Sequence, residues 1–130
     1  MSRLTFLRGS ELVNVAGESH YQEALQELTG TDGTTGIRLD AEAVLVPEPA
    51  NPHDPNAVMV QIDGRLVGYL PRAAAVAYGP MVAAVQARGR SAACEAMVAG
   101  RGGETSALGV FLRLPKPREE GAPAAPRGAF

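Results

Sequence analysis

Apolar and polar positions divide the chain into short periodic segments separated by glycine- and proline-rich turns. Leu12-Val13-Asn14-Val15-Ala16 reads as a strand that ends at Gly17. Glu18-Ser19-His20 reads as a turn, with Ser19 as the N-cap of a following helix. Tyr21, Ala24, Leu25 and Leu28 then recur at spacings of three and four, which places them on one helical face. Residues 29–36 (TGTDGTTG) have almost no apolar content and read as a flexible insertion. Ala41 to Pro47 predicts a second strand. Ala57 to Ile62 and Arg65 to Leu70 predict two more, joined by Asp63-Gly64, a dipeptide suited to the positive φ angles of a type I′ hairpin turn.

Beyond the hairpin, Arg72 to Tyr78 and Met81 to Ala87 look helical, with Gly79-Pro80 between them. The residue before a proline avoids the α region, so two short helices or one broken helix are expected. Ser91 to Ala99 fits either helix or strand. Its length, and the flanking Gly89 and Gly100-Arg101-Gly102-Gly103, favour strand. Leu108, Val110, Leu112 and Leu114 alternate with polar or small residues, as in a half-buried strand within 105–114. The predicted order is β-α-β-β-β-α-β-β, mainly β with short helices. So few strands must close on themselves or cover their edges, which points to a small, partly open barrel plugged by helices. The boundaries expected are a flexible leader over 1–10, the domain over 11–114, and a disordered Pro/Ala-rich tail over 115–130.

Composition narrows the function. A chain of 130 residues suits one domain with a modest core. No run of ~18 apolar residues and no charged-then-apolar leader is present, so a cytoplasmic protein without a membrane partner is expected. The single Cys94 excludes an internal disulfide and a multi-cysteine zinc site. Net charge is −2, which does not advertise a nucleic-acid binder, but its distribution is uneven. Residues 11–70 carry ten carboxylates against two arginines, a net −8, and residues 71–118 carry seven cations against two carboxylates, a net +5. Either both sets are solvated faces, or the second half forms a basic side open to an anion.

The stretch with the richest chemistry is residues 49–56, which pack three prolines, two asparagines, His53 and Asp54 into eight positions ahead of the hairpin. A rigid polar loop feeding a tight hairpin suggests a scaffold presenting a site. His20, His53 and Asp54 are too few for a confident metal set. Cys94 lies in an apolar segment, where cysteine behaves as an inert core residue. No glycine-rich phosphate loop precedes a helix. The sequence therefore implies no cofactor and no catalytic constellation. Asp54 and Asn56 have a plainer reading as well, capping their own loop through side-chain to backbone hydrogen bonds.

Residues 17–22 (GESHYQ), the Val44-Leu45-Val46 strand, residues 51–57 (NPHDPNA) and residues 64–70 (GRLVGYL), in this order, resemble a HIRAN domain over roughly Leu12 to Leu114. The family occurs at the front of fork-remodelling helicases and alone in short bacterial proteins. The resemblance implies an OB-like small β-barrel and a DNA-repair module that clamps single-stranded DNA at a free 3′-hydroxyl end. It implies that Asp54 accepts a hydrogen bond from that hydroxyl, that His53 and His20 stack on bases, and that Arg72 contacts a phosphate. Tyr69 and Asn51 would lie beside the pocket, with Tyr21 next to His20. Ser19 stands where the family has an arginine, and His20 and His53 stand where it has tyrosines, which lowers the expected affinity. The alternative is a protein-interaction or adaptor module on the same barrel, with a helicase, nuclease or other repair factor as partner.

Overall fold

The computed structural model describes residues 3–30, 37–100 and 108–117. Its strands are β1 (Arg3–Phe6), β2 (Glu11–Asn14), β3 (Ile37–Pro47), β4 (Val58–Ile62), β5 (Arg65–Tyr69), β6 (Arg90–Gly100) and β7 (Leu108–Leu114). A 3-10 turn (Glu18–Tyr21) and helix α1 (Gln22–Thr29) lie between β2 and β3, and helix α2 (Arg72–Ala87) lies between β5 and β6. The strands form one sheet in the order β2-β7-β6-β3-β4-β5, antiparallel throughout this path. The two ends of the path meet. Just past β2, Ala16 pairs with Tyr69 of β5 through two backbone hydrogen bonds of 2.7 and 2.9 Å. The curled sheet is thus an OB-like small barrel.

Burial explains the curl. In β4, Val58, Val60 and Ile62 are buried and alternate with half-exposed Met59 and Gln61, so only one face points inward. Leu45, Val67, Val98, Val110 and Leu112 complete the interior, and Ala75, Tyr78, Val82 and Val85 of α2 pack into the same core, with Leu25 of α1. The hairpin turn is as expected, with Asp63 at φ 53 and Gly64 at φ 78. β6 is a strand, and its ambiguity in the sequence has a cause. Ala92, Ala93 and Cys94 are buried in a row, which breaks the alternation near the start of the strand; it returns beyond, with Glu95 exposed and Met97 half-exposed between buried Cys94, Ala96 and Val98.

Four expectations change. Residues 3–6, inside the expected leader, form β1, which runs parallel to β6 from Arg3↔Arg90 to Phe6↔Ala93, along the stretch of β6 that β7 does not reach. Ser19 is not a helix N-cap: it falls inside the 3-10 turn, and α1 starts after Tyr21 without a side-chain cap. α2 is one continuous helix across Gly79-Pro80. Glycine before the proline has no Cβ to clash with the ring, and Pro80 is exposed, one turn from Val76 at 61% exposure, so the carbonyl that loses its donor lies on the wet side. β3 starts four residues earlier than predicted, at Ile37. Of the insertion expected over 29–36, Thr29 ends α1 and Gly30 is its C-cap. The rest of it, most of the turn expected at 100–103 and all but the first residues of the tail expected over 115–130 lie outside the described residues.

Candidate nucleic-acid interface

The loop from Glu48 to Asn56 leaves β3 at Pro47 and returns into β4. The pairing of those strands continues one step past Pro47↔Val58, with the Glu48 N–H donating to the Ala57 carbonyl at 2.8 Å. Within the loop, the Asn51 N–H donates to the Glu48 carbonyl and the Ala57 N–H to the Asp54 carbonyl, both at 3.0 Å. The side chain of Asn51 ties these turns together. Its Oδ1 accepts from the His53 and Asp54 N–H groups at 2.8 and 3.0 Å, and its Nδ2 donates to Glu48 Oε1 at 2.7 Å. Glu48 Oε1 also accepts from the Tyr69 hydroxyl at 3.1 Å, which fastens the loop to β5. Partial burial, then the Glu48 carboxylate, raise the Tyr69 pKa above its ordinary value.

On its outer side the loop meets α2, Asp54 facing Arg72. Asp54 Oδ1 accepts from the Asn56 N–H at 2.9 Å, an Asx turn that fixes the carboxylate plane. Asp54 Oδ2 lies 4.0 Å from Arg72 Nε, and Arg72 Nη2 donates to the His53 carbonyl at 3.2 Å. Pro71 precedes α2, so the Arg72 side chain springs from the first helical residue directly after the Tyr69 strand. His53 and Arg72 are exposed, and Asp54 is partly covered.

The second cluster lies on the 3-10 turn that follows the Ala16–Tyr69 bridge. Gln22 docks this turn on β7, its Nε2 donating to the Leu108 carbonyl at 2.9 Å and its Oε1 accepting from the Leu108 N–H at 2.8 Å. Glu18 Oε2 accepts from the Val110 N–H at 3.1 Å. The two side chains therefore satisfy β7 backbone groups where the neighbouring strand has ended. His20 and Tyr21 project from this anchored turn with their rings edge to face, 6.5 Å apart at 78°. Tyr21 adds a smaller upward push on the Tyr69 pKa, so it shares that neighbourhood.

A family model for the HIRAN domain matches residues 9–109. The chain belongs to the HIRAN domain family. Comparison with curated proteins and with solved structures gave no match. HIRAN domains are generally nucleic-acid-binding modules, a binding family and not a catalytic one. In this HIRAN domain, Asn51, His53, Asp54, Tyr69 and Arg72 are joined in one bonded network through Glu48. The 3-10 turn that carries His20 and Tyr21 packs against β5, the strand of Tyr69.

Sequence reasoning missed Glu48, the acceptor shared by Asn51 and Tyr69. Its signal was a lone carboxylate between Pro47 and Pro49, at the end of a strand, where a rigid backbone aims it. The loop-capping reading of Asp54 holds for Oδ1, while the main capping residue is Asn51. Cys94 of the HIRAN domain is buried at 0% exposure, and burial pushes its thiol up to about 12, so it is protonated in the folded protein. Among the described residues, no helix is long and apolar enough to cross a membrane.

Proposed function

We propose that this HIRAN domain binds single-stranded DNA and captures its 3′-hydroxyl end, with Asp54 reading the hydroxyl. The observation that carries this is the split use of the Asp54 carboxylate. Oδ1 is committed to the Asn56 N–H, while Oδ2 accepts no hydrogen bond from a described residue and has the Arg72 guanidinium 4.0 Å away, an ion pair beyond hydrogen-bonding range. An ionised carboxylate is acceptor-only, so Oδ2 takes a hydroxyl donor and repels a terminal phosphate. Arg72 is 78% exposed and its pair with Asp54 is a surface ion pair, worth at most ~1 kcal/mol, so a backbone phosphate can draw it away at little cost. His53, on the loop, and His20, on the 3-10 turn, supply π-faces for bases. Tyr21, Tyr69 and Asn51 hold the surfaces between them.

The test is a fluorescence titration with oligonucleotides that end in a 3′-hydroxyl or a 3′-phosphate. The wild-type chain is expected to prefer the hydroxyl end by tenfold or more, about 1.4 kcal/mol. Asp54→Asn keeps an oxygen for the Asn56 N–H but turns the reading atom into a donor, so the preference should collapse or reverse. Equal binding of the two ends by the wild-type chain, or binding of neither, would overturn the proposal. The second reading, an adaptor on the same barrel for a repair helicase or nuclease, is favoured by the engagement of Arg72 with its own loop. It predicts that DNA leaves the amide resonances of Asn51, His53, Asp54 and Asn56 unmoved while such a protein shifts them.

A further inference from the structure

Arg3 of β1 and Arg90 of β6 are direct partners in the parallel pair. Side chains of directly opposite residues share a face, and like charges so placed repel. Both arginines are exposed, and Arg88, at the C-terminal end of α2, is exposed as well. The ion pairs among the described residues involve Arg38, Arg65 and Arg72, with Asp40, Glu27 and Asp54. None reaches Arg3, Arg88 or Arg90. Arg88 has an ordinary explanation, since a cation at a helix C-terminus is favoured by the peptide dipoles. Arg3 and Arg90 have none within the fold: each makes the other less favourable, and nothing described offsets them.

Their position gives the reason. β3 and β6 are in register as far as Leu45↔Ala92. The ladder stops there, with Pro47, where the Asp54 loop departs, two residues further along β3 and Arg90 two residues further along β6, so Arg90 and the root of the loop lie at the same end of the sheet. Arg3, the partner of Arg90 in β1, lies at that end as well. Tyr69 and Arg72 flank the same root from the other side, through β4 and β5.

We propose that Arg3 and Arg90 form a phosphate track that carries the single strand away from the Asp54 end, upstream of the captured 3′ terminus. This rests on the end-capture reading and adds its direction: the strand leaves across the ends of β3, β6 and β1. The backbone phosphates of the strand supply the anions that make the Arg3–Arg90 pairing tolerable.

The experiment compares the wild-type chain with an Arg3→Gln/Arg90→Gln double variant. The probes are 3′-hydroxyl oligothymidylates of about 4 and about 12 nucleotides, lengths that bracket the site size of one OB-type barrel. The wild-type chain should bind the long probe more tightly than the short one, and with a steeper salt dependence. The variant should keep its affinity for the short probe and its preference for a hydroxyl end, and lose the gain from length. Two lost phosphate contacts on a single strand lower the salt slope by about 1.4, so between 50 and 200 mM salt the variant should lose roughly sevenfold less affinity for the long probe than the wild type does. Its thermal midpoint should stay unchanged or rise, because a repulsion has been removed.

Equal affinity of the wild-type chain for both probes would overturn the track, and so would an unchanged long-probe affinity in the variant. A lower thermal midpoint with weaker binding of both probes would show a structural role instead. Competition by polyglutamate as effective as that of unlabelled oligothymidylate would mark the pair as a site for acidic protein. Loss of the hydroxyl preference with the length dependence intact would strike end capture and leave the Arg3–Arg90 track standing.

Discussion

The Asn51 amide satisfies three polar groups at once: two loop N–H groups on its oxygen and the Glu48 carboxylate on its nitrogen. Tyr69 supplies Glu48 with a second donor. Removing one partner of a half-buried hydrogen bond costs the desolvation of whatever is stranded, so the cost scales with the groups left behind. Asn51→Ala strands two N–H groups and one acceptor site of Glu48, and should destabilise the fold by about 2–3 kcal/mol, whereas Tyr69→Phe leaves Glu48 bonded to Asn51 and should cost only about 1. Urea unfolding of the two variants checks the order; equal costs would mean that the loop is held by its prolines and not by Asn51. This scale also shows which site residues can be read from sequence. Asn51, His53 and Asp54 announce themselves because an Asx-rich turn is local chemistry. Glu48 does not, because its meaning depends on a tyrosine 21 positions away, brought beside it only by the pairing of β3, β4 and β5.

Among the elements, closure of the barrel depends on one close approach. A Cβ at Gly68 would run into Val15 Cγ1 and sit 2.7 Å from the Ala16 carbonyl oxygen, and the residue has φ +152°, a conformation that side-chain-bearing residues rarely adopt. Gly68→Ala therefore pushes β5 away from the segment after β2, at a cost of roughly 3 kcal/mol from overlap and backbone strain together. Hydrogen exchange should localise the damage: the Ala16 and Tyr69 amides, which donate across the closure, should lose protection first, and the 3-10 turn with His20 and Tyr21 should loosen with them. Uniform loss across all strands would place the damage elsewhere. Elements defined by local rules, such as the hairpin at Asp63-Gly64 and the alternating strand β7, are legible in the sequence. β1 is not, since four residues with no buried position become a strand only against Arg90 to Ala93. The unbroken α2 is not either, because proline's cost in a helix depends on which face is wet.

At the scale of the whole molecule, the pKa of each of three buried or partly buried acids, Tyr69, Tyr78 and Cys94, is raised in the folded state, chiefly by burial. The unfolded chain gives up these protons near 10.0, 10.0 and 9.0, while folded Cys94 holds its own to about 12. The stability they contribute is therefore fully present below about pH 9 and is lost as pH rises from there toward 12. Cys94→Ala should flatten the first part of that decline. The same burial makes Cys94 a reporter of function. β6 is paired with β1, β3 and β7, so its thiol reaches an aromatic disulfide reagent only when the barrel opens. Any ligand that binds only the folded protein lowers the open population. A 3′-hydroxyl oligonucleotide at 100 times its Kd should slow Cys94 labelling by about 100-fold, while the 3′-phosphate form at the same concentration should slow it far less. Labelling that is fast in native buffer, or indifferent to denaturant, would show that β6 opens locally. Labelling slowed equally by both oligonucleotides would show that the end group is not read.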